Sequence, residues 1–274
     1  MWDYLDTDGI LARTVEDAAL MLSVMAVGDA ADPIAIAAPW SLPTFDATVV
    51  DQLTGKVRVG FSADLGITPV DAEVQAIFKQ AIARLTPLCQ QITPSHPDCS
   101  MAQPAFETMR AALLCYKQKH HYEQHFDQLT DTVRWNVARG QDLSATDFLT
   151  ASAQRDQLYR NFLTFFETHD ILAIVSACVP PFRHTQPEVF MVNDTPLRHI
   201  IDYLTITYTL SLTGCSALSI PCGWTASGLP VGMQLIGPPH GEATLLQFAY
   251  ALQEALGFCH HWPEDRVCNT PRPS

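Results

Sequence analysis

The sequence predicts an α/β protein, and three observations carry that prediction. Val57-Arg58-Val59-Gly60-Phe61 reads as a short strand, and Asp71 then opens a helix whose apolar residues recur every three or four positions. Ile171–Val175 is an all-apolar run of strand length, suited to a sheet covered on both faces, and it follows a long amphipathic helical pattern. Residues 203–241 contain no Asp, Glu, Lys or Arg and end abruptly at an amphipathic helix opening Glu242-Ala243-Thr244. At the chain's overall charged fraction of 16% about six charges are expected in such a stretch, so most of it should lie inside the protein or line a closed site.

In chain order, Thr14 is an N-cap candidate with Asp17 three residues on, and Val15, Ala18, Ala19, Leu22, Met25 and Ala26 fall on one helical face expected to pack against a sheet. Residues 32 to 55, with Pro33, Pro39, Pro43, Asp46 and Gly55, read as loop. After the strand at Val57, the helix from Asp71 carries Val74, Ile77, Phe78, Ala81, Ile82 and Leu85 as its stripe and stops at Pro87; Leu88 to Ile92 reads as the next strand. Ala105 to about Leu129 and Ser144 to about His169 read as helices. The second is capped by Ser144 with Asp147 and is expected to turn Tyr159, Phe162, Leu163 and Phe166 inward. Within the uncharged tract, Ala217–Ile220, a turn at Ser227-Gly228 and Val231–Ile236 read as a buried hairpin, because glycines and prolines leave no apolar run of membrane-spanning length.

The chain has 274 residues, a net charge of −13 and 47% hydrophobic residues, which suits a globular protein able to bury a sizeable core. That charge, without a basic stripe, argues against nucleic acid or an anionic membrane as partner. Eight cysteines at 89, 99, 115, 178, 215, 222, 259 and 268 form no C-x-x-C pair and read as reduced, small, mostly buried side chains. No leader pattern opens the chain, so the cytoplasm is the expected location.

Two blocks carry a family resemblance. The run LTGCSALSIPCGWTASGLPVGMQLIGPPHGEATLL, residues 212–246, resembles the C-terminal hallmark of the amidase signature family. Asp8-Gly9-Ile10-Leu11-Ala12-Arg13-Thr14-Val15-Glu16-Asp17-Ala18-Ala19 resembles its D-x-x-GPLARTVEDAA block. The resemblance implies the C-terminal part of an amidase-signature fold, a mixed sheet covered by helices, with residues 1–274 forming one partial domain. It implies a hydrolase of carboxylic amide C–N bonds that uses a Lys, a Ser in a cis peptide and a nucleophilic Ser, and neither a metal nor an organic cofactor.

That triad would lie N-terminal to the Asp8 block. This chain has no Gly-Gly or Ser-Ser dipeptide to build an oxyanion loop, and Lys56, Lys79, Lys117 and Lys119 read as surface amines. No catalytic residue is therefore assigned. The chain is expected to be the substrate-pocket half of such an enzyme, inactive alone and completed by an N-terminal segment or subunit. Its partner would be a small-molecule amide, with neither nucleic acid nor membrane involved.

By the same resemblance, Ser176-Ala177-Cys178-Val179-Pro180-Pro181 stands where the family has a T-P-T-x-P loop bordering the substrate. Cys178 and Val179, with Tyr208, Thr209, Thr213 and Gly214, are therefore the candidate substrate-binding residues; Thr213-Gly214 is equally readable as a turn into the hairpin. Cys222 would help to wall the acyl pocket.

Other chemistry is weaker in the sequence. Cys259-His260-His261 places a thiol beside imidazoles, but sequence neighbours rarely face one another. His121 and His125 share a helix face at metal-binding spacing without a third ligand. The loop Gly237–Glu242 puts a carboxylate at a helix N-terminus, which disfavours an anion there. Two further readings stand beside the hydrolase: a non-catalytic binding relic of it, and a histidine-based metal protein.

Overall fold

The computed structural model describes residues 5, 7–32, 34–35, 41–186, 189–199 and 201–257. Pro33, Pro39, Cys259, His260, His261 and Cys268 lie outside them. Eight α-helices are described: α1 Val15–Met25, α2 Ala47–Leu53, α3 Ala72–Leu85, α4 Ala102–Gln124, α5 Asp131–Gln141, α6 Ala145–Phe166, α7 Thr205–Ser211 and α8 Glu242–Leu256. The strands are β1 Arg58–Phe61, β2 Gln91–Pro94, β3 Ile171–Val175, β4 Met191–Val192, β5 Thr195–Pro196, β6 Ser216–Trp224 and β7 Pro230–Gly237.

The main sheet runs β2-β1-β3-β7-β6, with β2, β1 and β3 parallel and β7 and β6 antiparallel, so the expected mixed α/β sheet is present. Its parallel part begins at a shared clamp. Asp170, just before β3, accepts from the Arg58 backbone N–H at 2.8 Å and from Nη2 of the same residue at 2.7 Å. All five residues of β3 are buried, as a strand covered on both faces requires.

On one face lie α3 and α8. The six-residue stripe of α3 is wholly buried, and Asp71 caps it by accepting from the N–H groups of Glu73 and Val74. On the other face α6 crosses β1 so closely that a Cβ at Gly60 would stand 2.6 Å from Phe165 Cζ. The expected capping box of α6 is formed: the Asp147 N–H donates to Ser144 Oγ, and the Ser144 N–H donates to the Asp147 carboxylate.

Several expectations are corrected. Helix α1 packs on α8, not on a sheet: Gln253 of α8 accepts from the Val15 N–H at 2.8 Å and donates to Glu16, and Met25 is exposed. Asp46, read as a turn residue, caps α2 through the Val49 N–H. The chain after Leu85 tightens into a 3-10 turn holding Pro87, so β2 starts three residues later than the apolar run suggests. Helix α4 ends at Gln124 instead of near Leu129. The inward stripe of α6 is Ala151, Leu158, Phe162 and Phe165; Tyr159 and Leu163 are 36% and 39% exposed.

The largest correction concerns the hairpin. Its two strands and its turn at Gly228 (φ +79°) are present, the first strand running on to Trp224, but β6 is an outer strand of the described sheet. Residues 217, 219 and 221 are exposed, while Ser216, Ile220 and Cys222 are buried. Strand β6 is buried on one face only, although Ile236 of β7, opposite Ala217, is buried, and the uncharged character of the exposed positions of β6 needs a separate cause.

Candidate functional site

That open face is where the strand ends, the loop after β3 and α7 meet. Side chains alternate along a strand, and Ser219 pairs with Gln234 and Pro221 with Gly232, so these four residues share the face with Ala217. Ser176, the first residue after β3, joins them. Its hydroxyl is 2.6 Å from Ser219 Oγ, and Gly232 allows this approach, since a Cβ there would meet Ser176 Oγ at 2.6 Å. Two serine hydroxyls sharing one hydrogen bond leave one O–H free to donate outward. Gln234 Nε2 donates to the Val175 carbonyl, which leaves its side-chain oxygen available.

Two cavities flank this strip, and Thr207 of α7 lines both. The larger, about 570 Å³, lies between the Thr7–Ile10 segment, Leu22, Gly214, Ala217 and Gln234. It therefore brings Asp8 and Gly9 of the N-terminal block against the C-terminal block, 200 residues away in sequence. The clamp of Gln253 on the first turn of α1 positions that N-terminal segment. Sequence reasoning passed over Gln253; its signal is a lone amide on the otherwise apolar stripe of α8, where it is 2% exposed. The smaller cavity, about 230 Å³, lies beneath the Ala177–Phe182 segment and reaches Gly232.

The candidate residues divide accordingly. Val179 lines the smaller cavity and Gly214 the larger. Cys178 is fully buried beside the smaller one, donating its thiol to the Tyr203 carbonyl at 2.9 Å, and its own carbonyl accepts from the Asp71 N–H. Burial pushes the Cys178 thiol up to about 11, and the thiol of Cys222 up to about 12, which keeps both protonated and poor as nucleophiles. Tyr208 is buried, stacked on Phe106 with centroids 4.0 Å apart, and its hydroxyl pairs with Thr205; burial pushes it up to about 12. Thr209 is fully buried and donates to the Thr205 carbonyl. Thr213 donates to the Leu210 carbonyl, and Gly214 follows at φ +63°, so this pair forms the turn into β6. Cys178, Tyr208, Thr209 and Thr213 thus face inward and hold the loop and α7 in place, while Val179 and Gly214 reach the cavities.

Among the described residues, the group able to share a cation is Glu107, His199 and Asp202, a cluster the sequence reading did not single out. His199 Nδ1 is 3.0 Å from Asp202 and 3.7 Å from Glu107. Two guanidiniums already face the two carboxylates, Arg139 at 3.0 Å from Glu107 and Arg198 at 3.5 Å from Asp202, and Gln103 donates to both. Charge is balanced there without a cation, and the cluster serves to dock the 198–204 segment on α4 and α5. His121 and His125 have ring centroids 6.1 Å apart on an exposed helix end. All four lysines are exposed.

The fold is a mixed sheet covered by helices, with a hairpin strip of hydroxyl, amide and glycine between two cavities at the end of β3. The amidase family profile matches residues 3–246, and the chain belongs to that family. It is 28% identical over 284 residues to a glutamyl-tRNA(Gln) amidotransferase subunit of Moorella thermoacetica, covering 95% of this chain and 56% of that protein. It is 27% identical to an acylamidase of Rhodococcus erythropolis, covering 97% and 55%. Among solved structures, a bacterial aryl acylamidase of the amidase signature family superposes with a TM-score of 0.79 at 20% identity, over 93% of this chain and 55% of the other. The chain spans about half the length of the curated relatives it matches. Among the described residues no helix is long and apolar enough to cross a membrane.

Proposed function

We propose that this chain walls the substrate pocket of an enzyme that hydrolyses carboxylic amide C–N bonds, with the Lys-Ser-Ser machinery contributed from N-terminal to the Asp8 block, by a preceding segment or a separate subunit. Residues 1–274 are then part of one domain, and the chain alone is inactive. The observation that carries this reading is the uncharged open strip of Ser176, Ser219, Gly232 and Gln234, half-exposed between two cavities in a chain of this family.

In this reading the strip receives the amide. The free serine O–H donates to the substrate carbonyl and the Gln234 oxygen accepts from the amide N–H, while the strip's lack of charge keeps the local dielectric low once the face is covered. Val179 and Gly214 touch substrate groups. Cys178, Tyr208, Thr209 and Thr213 are positioning residues that hold the two walls. Water clears the acyl-enzyme formed on the contributed serine, and no metal or organic cofactor takes part. The setting is the cytoplasm.

The test is hydrolysis of benzamide and acetamide by the 274-residue chain, alone and mixed with the N-terminal half of the Rhodococcus acylamidase. Turnover only in the mixture is expected. Turnover by the chain alone, abolished by a serine-directed phosphonate, refutes the division of labour; a mixture that associates and stays inactive refutes the pocket assignment.

A further inference from the structure

The smaller cavity has a chemistry of its own. Its walls are Val179, Pro181, Phe182, Tyr203, Leu204 and Val231, and no Asp, Glu, Lys, Arg or His is among its described lining residues. Two backbone carbonyls of those walls are already engaged. The Tyr203 carbonyl accepts from Cys178 Sγ, and the Leu204 carbonyl accepts from the Thr207 hydroxyl at 2.8 Å. A charged group entering here gives up part of its water and finds no opposite charge among the described lining residues.

An uncharged ring meets the opposite situation. Phe182 and Tyr203 stand edge to face, centroids 6.1 Å apart and planes at 85°, and present both an aromatic edge and an aromatic face to the space. The volume, about 230 Å³, exceeds the roughly 150 Å³ of an apolar cavity known to admit benzene and leaves room for one small substituent. The proline pair 180–181 and the thiol link from Cys178 stiffen the wall, so little ordering is needed on binding. Gly232 opens one side toward the Ser176–Ser219 hydroxyls, where a carboxamide attached to the ring would find its donor.

We propose that the cavity beneath Ala177–Phe182 seats a single uncharged aromatic ring of the amide substrate, and so selects aryl amides over small aliphatic or charged ones. This rests on the amide-hydrolase reading for the chemistry but not for the binding, which needs no turnover.

The test uses the 274-residue chain and 4-fluorobenzamide, observed by fluorine NMR. Saturable line broadening is expected, reversed by unlabelled benzamide and not by acetamide or benzylammonium at equal concentration. Ala177→Trp, on the exposed rim of the cavity, should weaken binding at least tenfold with an unchanged circular dichroism spectrum. Val231→Ala, which enlarges the cavity, should admit 1-naphthamide where the parent chain does not. Absence of saturable binding, equal competition by benzylammonium or acetamide, or unchanged binding in a folded Ala177→Trp chain overturns the proposal. A chain that binds the probe while the mixture with the N-terminal half stays inactive leaves the ring seat standing and removes only the hydrolase reading. Hydrolysis by that mixture of acetamide in preference to benzamide does the reverse.

Discussion

Gly140 lies near the end of α5, and helix propensity alone says that alanine there should stabilise the protein by about 1 kcal/mol. Packing says the opposite. A Cβ on Gly140 would run into the Ala111 carbonyl oxygen and Cys115 Cβ of α4, and would stand 2.9 Å from the Ala111 carbonyl carbon. The obstacle is backbone inside a 23-residue helix, which no rotamer change can move, so α4 and α5 must separate. Overpacking of this kind costs about 1–3 kcal/mol, and its upper range applies where backbone must shift. After the propensity gain is subtracted, Gly140→Ala should lose about 1–2 kcal/mol. Gly9→Ala is the control: nothing lies within 4 Å of its Cβ and its φ is not positive, so no loss is expected. Urea titrations of the two variants, followed by far-ultraviolet circular dichroism at equal m-value, decide the point. A Gly140→Ala protein as stable as the parent or more so refutes the close approach of α4 and α5.

Gly232→Val should cost about 1–3 kcal/mol by forcing Ser176 from Ser219, against within about 0.5 kcal/mol for Ser227→Ala in the exposed turn; equal losses in denaturant would contradict the described strip. Asp170 is held below the usual carboxylate range: burial acts to raise it, and the hydrogen bonds from Arg58 together outweigh burial. A depressed folded value contributes stability above the unfolded value near 4 that is lost as pH falls through the folded one, so Asp170→Asn should flatten the stability profile between about pH 5 and pH 2; an unchanged slope there would count against the clamp. Burial pushes the thiol of Cys178 up to about 11 and those of Cys99 and Cys222 up to about 12, and all three are buried, so at pH 8 a disulfide reagent should reach them only in denaturant; rapid native labelling of any of the three, mapped by mass spectrometry, would show the burial to be wrong.

Elements whose signal is local were legible in the sequence. Thr14, Asp71 and Ser144 all cap the helices their spacing announced, because a cap needs only an oxygen and an amide two or three residues on. The stripe of α3 was read completely because that helix has one buried face. Helix α6 was misphased because Tyr159 and Leu163 are apolar enough to pass for core, and only the position of β1 shows that Phe165 is the residue that must point in. Helices α5 and α7 escaped for opposite reasons: the first is short and mostly polar, and the second is a seven-residue turn of Thr, Ile, Tyr and Leu that reads as strand until its hydroxyls are seen bonding back to carbonyls one turn earlier.

The site was legible as a stretch of chain but not as a surface. Absence of charge over residues 203–241 has two physical causes that sequence alone cannot separate. Ile220, Met233 and Leu235 are uncharged because they are buried against α3 and α8. Ala217, Ser219 and Pro221 alternate with such residues in the same strands and face outward, where solvation would tolerate charge. A charged side chain at 219 or 232 would displace the Ser176–Ser219 contact and introduce a field across a strip flanked by cavities whose described linings carry few charged side chains, Asp8 and Glu242 in the larger. The outward positions Ala217, Ser219 and Pro221 therefore stay uncharged although burial does not demand it, which supports the proposal that the amide sits there and not at the charge-balanced cluster around Glu107.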